Sequence, residues 1–190
     1  MDVKVNTLKG YVGNMPSGSG RVFENWVASD ANSTKVYRSS QPYYNGDNDS
    51  EQVFDPNAVK VLKDHRINLI VSLNHKGLAK GQKEILDANK ISYCYLGVED
   101  YQAPTVAQLE KGCKEISKNL SAGNALVYCG YGQGRTGTMM TAYQIYSTQK
   151  CTIKQLDEFI KASTAETKEQ EAALRNFYKK LYPNGSLLEA

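Results

Sequence analysis

Three features of the sequence predict an α/β layer fold, with a mostly parallel sheet of about four or five strands flanked by helices. Short β-rich runs alternate along the chain with longer segments whose apolar residues recur at helical spacing. One run, Ile67-Asn68-Leu69-Ile70-Val71-Ser72-Leu73, is nearly continuous in apolar character, as a strand covered on both faces should be. Helix starts are marked by reciprocal capping pairs, Thr105 with Gln108 and Thr152 with Gln155. A chain of 190 residues suffices for one compact domain with a sizeable core and is short for two. The domain is expected over 22–183, after a flexible segment at 1–21 and before a frayed tail at 184–190.

In chain order, the breaker-rich stretch from Gly10 to Gly20 makes the entry flexible. Val22 to Val27 fits a short strand or an irregular apron, with Trp26 as a core anchor. Lys35-Val36-Tyr37-Arg38 reads as the first sheet strand, and Tyr43 to Ser50 as an exposed polar loop. Asp55 and Pro56 supply an N-cap and first helical position for a helix reaching about Asp64. His65 follows as a surface or capping residue, then the strand over 67–73 and a loop, Asn74-His75-Lys76-Gly77. A second helix over Lys80–Asn89 and an alternating strand over Ile91–Leu96 come next.

The helix opened by Thr105 keeps a stripe of Val106, Leu109, Cys113, Ile116 and Leu120, which places Cys113 in the core. Ala125 to Tyr128 forms another strand, and a helix from Thr136 to about Gln149 is apolar almost all round and therefore buried. Two helices close the domain. Thr152 and Gln155 cap the first, and Ser163 with Glu166 fits the capping pattern for the second, which buries Leu174, Phe177, Tyr178, Leu181 and Tyr182. Pro183-Asn184-Gly185 stops it.

A net charge of +3, from 23 basic and 20 acidic residues, is too mild to imply nucleic acid and is compatible with an anionic substrate in one local basic pocket. Cysteines 94, 113, 129 and 151 lack metal-ligand spacing, and a reducing compartment is their natural setting. Charged and polar residues are interspersed throughout Met1 to Gly10, and no apolar run approaches the length of a signal h-region or a membrane span; a soluble, cytoplasmic protein is expected, although export without a cleaved signal leaves no trace in a sequence.

The chemistry concentrates between Ala125 and Gly137. The strand-like run there enters Cys129-Gly130-Tyr131-Gly132-Gln133-Gly134-Arg135 and leaves as a helix. Gly130, Gly132 and Gly134 permit backbone conformations closed to other residues, so consecutive N–H groups can converge on one anion at a helix N-terminus. A phosphate suits such a cradle, with Tyr131 and Gln133 as further lining. Arg135 can close its planar fork on two phosphate oxygens, and together with the amides and helix dipole it should hold Cys129 as a thiolate.

Cys129, five residues, Arg135 and then Thr136-Gly137 resembles the signature of the cysteine-based phosphatases of the protein-tyrosine and dual-specificity superfamily. Tyr37-Arg38-Ser39-Ser40-Gln41-Pro42 resembles the first-strand segment of atypical and bacterial members. The resemblance implies a protein-tyrosine-phosphatase-like fold and phosphomonoester hydrolysis through a cysteinyl phosphate, with no metal or cofactor. It also implies roles: Cys129 as nucleophile, Arg135 and the loop from Gly130 to Gly134 as phosphate binders, and Thr136 as a hydrogen-bond donor to the sulfur. The loop Glu99-Asp100-Tyr101-Gln102-Ala103-Pro104 resembles the family's mobile acid loop, where Asp100 fits the proton donor best and Glu99 next. In that topology the loop of His75 and Lys76 falls at the same sheet end, as substrate contact or as solvated turn, and Arg38 either adds positive potential or ties the strand end.

The chain departs from the family at Tyr128, where a histidine usually precedes the nucleophile. That departure bears on rate more than on phosphate binding, because the amides and Arg135 remain. No lysine of the sort expected in a family loop that reads several phosphates on an inositol ring lies between Cys129 and Arg135, which favours a phosphoprotein. No long insertion deepens the cleft for phosphotyrosine alone, so a dual-specificity pocket admitting phosphotyrosine and phosphoserine or phosphothreonine is expected, with an inositol-phosphate or RNA 5′-phosphate phosphatase as the alternative. A catalytically weak phosphate-binding module, made so by Tyr128, is the reading from another class.

Overall fold

The computed structural model describes residues 22–31, 34–46, 49 and 52–183; the entry segment expected at 1–21 and the tail expected at 184–190 lie outside them. Strands and helices follow in the order β1 (Val27–Ala31), β2 (Thr34–Ser40), α1 (Pro56–Asp64), β3 (Ile67–Ser72), α2 (Lys80–Ala88), β4 (Ser92–Tyr95), α3 (Val106–Asn119), β5 (Asn124–Cys129), α4 (Gly134–Ser147), α5 (Ile153–Ala162) and α6 (Lys168–Leu181). The sheet runs β1-β2-β5-β3-β4, with β1 antiparallel to β2 and every other pairing parallel.

β5 takes the central place because its residues from Ala125 to Tyr128 are all fully buried. Side-chain alternation then divides it between two cores. Ala125, Val127 and Cys129 join Leu109, Ile116, Met139 and Phe177 on the face covered by α3, α4 and α6. Leu126 and Tyr128 join Phe54, Leu62, Leu86 and Trp26 on the face of α1 and α2. The register sets Cys129 opposite Ser40 and Tyr128 opposite Ser72, so β2, β5 and β3 end together. Loops leaving those carboxyl ends share one rim, where open parallel sheets place their ligands.

Local chemistry accounts for most boundaries. Asp55 accepts the Ala58 N–H at 2.8 Å with Pro56 in the first turn, and both predicted capping boxes, at Thr105 and Thr152, form reciprocally. Trp26 is buried against Phe23, Tyr37 and the ring of His65, which closes α1 as its C-cap. The short strand or apron expected over 22–27 divides: residues 22–25 are irregular, with Asn25 at φ 52°, and β1 begins only at Val27.

One predicted cap is corrected. Ser163 and Glu166 do not open the last helix; Thr167 does, accepting the Gln170 N–H at 3.2 Å, and α6 starts at Lys168. Glu166 is thereby free to act elsewhere. No helix of the described residues is long and apolar enough to cross a membrane. The revised boundary predicts that Thr167→Ala lowers the free energy of denaturant unfolding by about 1 kcal/mol, the usual loss of a side-chain cap. A change of only a few tenths would mean that the Thr167 hydroxyl contributes no capping energy.

Candidate active site

β5 delivers Cys129 to the carboxyl rim of the sheet, where the thiol is almost wholly buried and its Sγ accepts the Gly132 N–H at 3.3 Å. The loop is fastened to its neighbour strand: the Gln41 N–H donates to the carbonyls of both Cys129 and Gly130, at 2.8 and 3.0 Å. Three glycines were expected for one reason, and they have two. Gly132 alone adopts a positive φ, 85°, and a Cβ there would fall 2.3 Å from the Ser39 carbonyl. Gly130 and Gly134 are required instead by close approach, the first to the Cβ of Asp49 and the second to Oε2 of Glu166.

α4 begins at Gly134, so Arg135 lies in its first turn, where the helix dipole adds to its need for an anion. The guanidinium is 4% exposed. Nη1 donates to the Asp49 carboxylate, to the Val98 carbonyl at 3.0 Å and, more weakly, to the Leu73 carbonyl at 3.4 Å. Nη2 donates to Oδ1 of Asp100 at 2.6 Å. Burial alone would weaken the charge, but Cys129, Asp49 and Asp100 outweigh it, and the Arg135 pKa is raised. The two ion pairs differ in kind: the Asp49 side chain is 16% exposed, that of Asp100 63%. Asp49 therefore braces Arg135 from behind, while Asp100 faces the cleft that Arg135 and Cys129 line.

Asp49 was not singled out in the sequence, where it stands in an exposed-looking polar loop. Its backbone is held by buried Asn74, whose Nδ2 donates to the Asp49 carbonyl and to Oε1 of Gln41 at 2.6 Å. Glu166 was also missed, having been assigned to a cap. Its Oε2 accepts the Gly134 N–H at 3.1 Å, and it lines the cleft with Tyr44, Tyr101, Tyr131 and Gln133. Buried Gln170 accepts the Glu166 N–H at 2.8 Å and donates to the Gln102 carbonyl at 3.2 Å, linking this wall to the loop of Asp100.

Arg38 braces the same region, donating to Oγ1 of Thr164 at 2.7 Å and, at the limit of hydrogen bonding, to Gln133 at 3.5 Å. Its burial lowers its pKa, against the opposing pull of Cys129. Tyr128 points away from the cleft, fully buried, and its hydroxyl donates to Oε1 of Gln52 at 2.6 Å. Thr136 does not make the predicted contact with the sulfur: its Oγ1 is buried and has no hydrogen-bond partner among the described residues. Glu99, His75 and Lys76 do not line the cleft; Gln52 and Tyr95 bond instead to the carbonyls of Lys76, at 2.9 Å, and His75, at 2.5 Å.

The Asp49 brace is testable through stability. Asp49→Ala should cost about 3 kcal/mol in denaturant unfolding, because it strips the inner partner from a buried guanidinium. Saturating inorganic phosphate should stabilise that variant more than the wild type by restoring a counter-charge. A loss below 1 kcal/mol would mean that Asp49 carries no part of the Arg135 charge.

Residues 51–149 match the model of the family described as Tc-R-P, polymorphic toxin system, DSP-PTPase phosphatase. No curated protein matches the chain. Among solved structures it is similar to Tk-PTP in its active form, at 19% identity over 76% of this chain and 92% of that one, with a TM-score of 0.60. Human DUSP28 matches at 16% identity over 87% and 98%, with a TM-score of 0.57. PTPMT1 in complex with PI(5)P matches at 18% identity over 78% and 92%, with a TM-score of 0.58. These likenesses share the fold, and the family match covers more than half of the sequence. The chain belongs to the DSP-PTPase phosphatase family of polymorphic toxin systems.

Proposed function

We propose that the protein hydrolyses phosphomonoesters on protein side chains, phosphotyrosine first and phosphoserine or phosphothreonine as well, through a cysteinyl phosphate on Cys129. One observation carries the reading: the Cys129 sulfur, the first turn of α4 and the Arg135 fork converge on a single cleft that Asp100 also lines. The Cys129 thiolate attacks phosphorus, and the ester P–O bond breaks. Arg135 and the loop amides meet the charge spread over the equatorial oxygens. A phosphate taking Nη2 displaces Asp100 from Arg135, and the freed carboxyl, protonated, gives its proton to the departing oxygen.

Water then attacks the phosphocysteine and Asp100 takes its proton. The P–S bond breaks, returning the thiolate and releasing inorganic phosphate. Thr136 has a part in this second step. Its unpaired buried hydroxyl, which costs on the order of 1–3 kcal/mol, is recovered when it turns to donate to the sulfur as negative charge returns there. Tyr128 does not prevent the cycle, because the phenol lies across β5 from the sulfur. The Tyr128 pKa is raised by burial, so the group stays a neutral donor to Gln52.

The proton-transfer role predicts a leaving-group signature. Asp100→Asn should slow hydrolysis of a phosphotyrosine peptide by on the order of 10²–10⁴, and much less that of an activated aryl phosphate whose leaving oxygen needs little protonation. Equal losses on both substrates would take the acid role from Asp100.

A further inference from the structure

The cleft mouth combines two kinds of surface. One is aromatic: Tyr44 and Tyr131 pack with ring centroids 5.7 Å apart, while Tyr131 and Tyr101 remain 48% and 64% exposed. The other is acidic: Asp100 comes from the loop after β4 and Glu166 from the loop between α5 and α6, both exposed. Among the described residues lining the cleft, Arg135 is the one cation, and it already faces two carboxylates. A bound phosphate takes the Gly134 N–H from Glu166 as it takes Nη2 from Asp100, and whatever flanks that phosphate meets the two displaced carboxylates and the tyrosine faces. Burial first, then Asp100 and Asp49, also raises the pKa of the Tyr44 hydroxyl, in keeping with a negative field at the mouth.

Resting on the phosphatase reading above, we infer that this mouth selects a single phosphate on an aromatic ring with cationic side chains beside it, and rejects a second anion nearby. Two physical terms act together. Lysine or arginine flanking a phosphotyrosine gains attraction from Asp100 and Glu166, and cation–π contact with Tyr101 or Tyr131. A second phosphate, or an acidic flank, would instead lie against both carboxylates, and the next cation, Arg38, is outside the cleft lining and engaged with Thr164. The same chemistry places an inositol polyphosphate and a 5′-triphosphorylated RNA among the poor substrates.

The experiment compares two phosphotyrosine peptides of equal length, one with lysines and one with glutamates on both sides, alongside an inositol polyphosphate and a small activated aryl phosphate. The basic peptide should have kcat/KM on the order of ten-fold above the acidic one, the preference shrinking as salt screens exposed charges. Glu166→Lys should lower or invert the ratio of the two peptides, a readout internal to each variant and insensitive to overall loss of rate. Should that variant fail to fold, Glu166→Gln and the salt titration of wild type carry the same test. Equal turnover of the peptides, a ratio unmoved by Glu166→Lys, or faster turnover of the inositol polyphosphate would overturn the inference while the aryl phosphate still reports a working enzyme. Loss of all turnover, the aryl phosphate included, would overturn the phosphatase reading beneath it.

Discussion

A guanidinium buried to 4% exposure at the head of α4 is the constraint around which the rim of this sheet is built. An isolated charge taken so far from water would cost far more than any single hydrogen bond returns, so the fold must bring it partners. They arrive from different strand ends: Asp49 after β2, the Leu73 carbonyl after β3, and the Val98 carbonyl with Asp100 after β4. β5 itself supplies Cys129. Arg135 thus ties the loops of the parallel strands into one structure, and the group proposed to bind phosphate is also the group that organises the site.

The division of labour between its two carboxylates follows from burial. Asp49 is enclosed and fixed through its backbone by Asn74, so it can hold the guanidinium's inner edge whatever enters the cleft. Asp100 is mostly exposed on a loop where Tyr101 adopts a positive φ of 59°, and it can leave Arg135 when another anion takes its place. A second brace acts from the opposite side. Arg38, Thr164 and Gln133 form one chain of contacts, while Gln170 joins Glu166 to the backbone of Gln102. Both sets of contacts run through the loop between α5 and α6, which carries Thr164 and Glu166.

What could be read from the sequence was set by how local its physical cause is. The capping boxes at Thr105 and Thr152 involve residues three apart, and the two-sided burial of β3 and β5 shows in their own composition. Cys129 and Arg135 lie within one loop, so their convergence was legible too. Asp49 was not, because its partner stands 86 residues away and the polar loop around it carries no mark to distinguish one aspartate from another. Glu166 was misassigned because Ser163 and Glu166 satisfy the capping spacing as well as Thr167 and Gln170 do; only tertiary contact with Gly134 decides between them. The three glycines looked alike in sequence, but close approach to Asp49 and Glu166 explains two of them. The position of Tyr128 was known, whereas its distance from the chemistry depends on which face of β5 each residue takes.

Hydrolysis by the proposed route requires Cys129 to form a covalent bond to phosphorus. Wild-type protein, quenched in acid during turnover of a phosphotyrosine peptide and mapped by mass spectrometry, tests this most directly. A phosphoryl group on Cys129, absent when Cys129→Ser is treated identically and accompanied there by loss of turnover, is the predicted result. Phosphate release that continues in Cys129→Ser at a rate near that of wild type, with no phosphorylated cysteine in either protein, would contradict it.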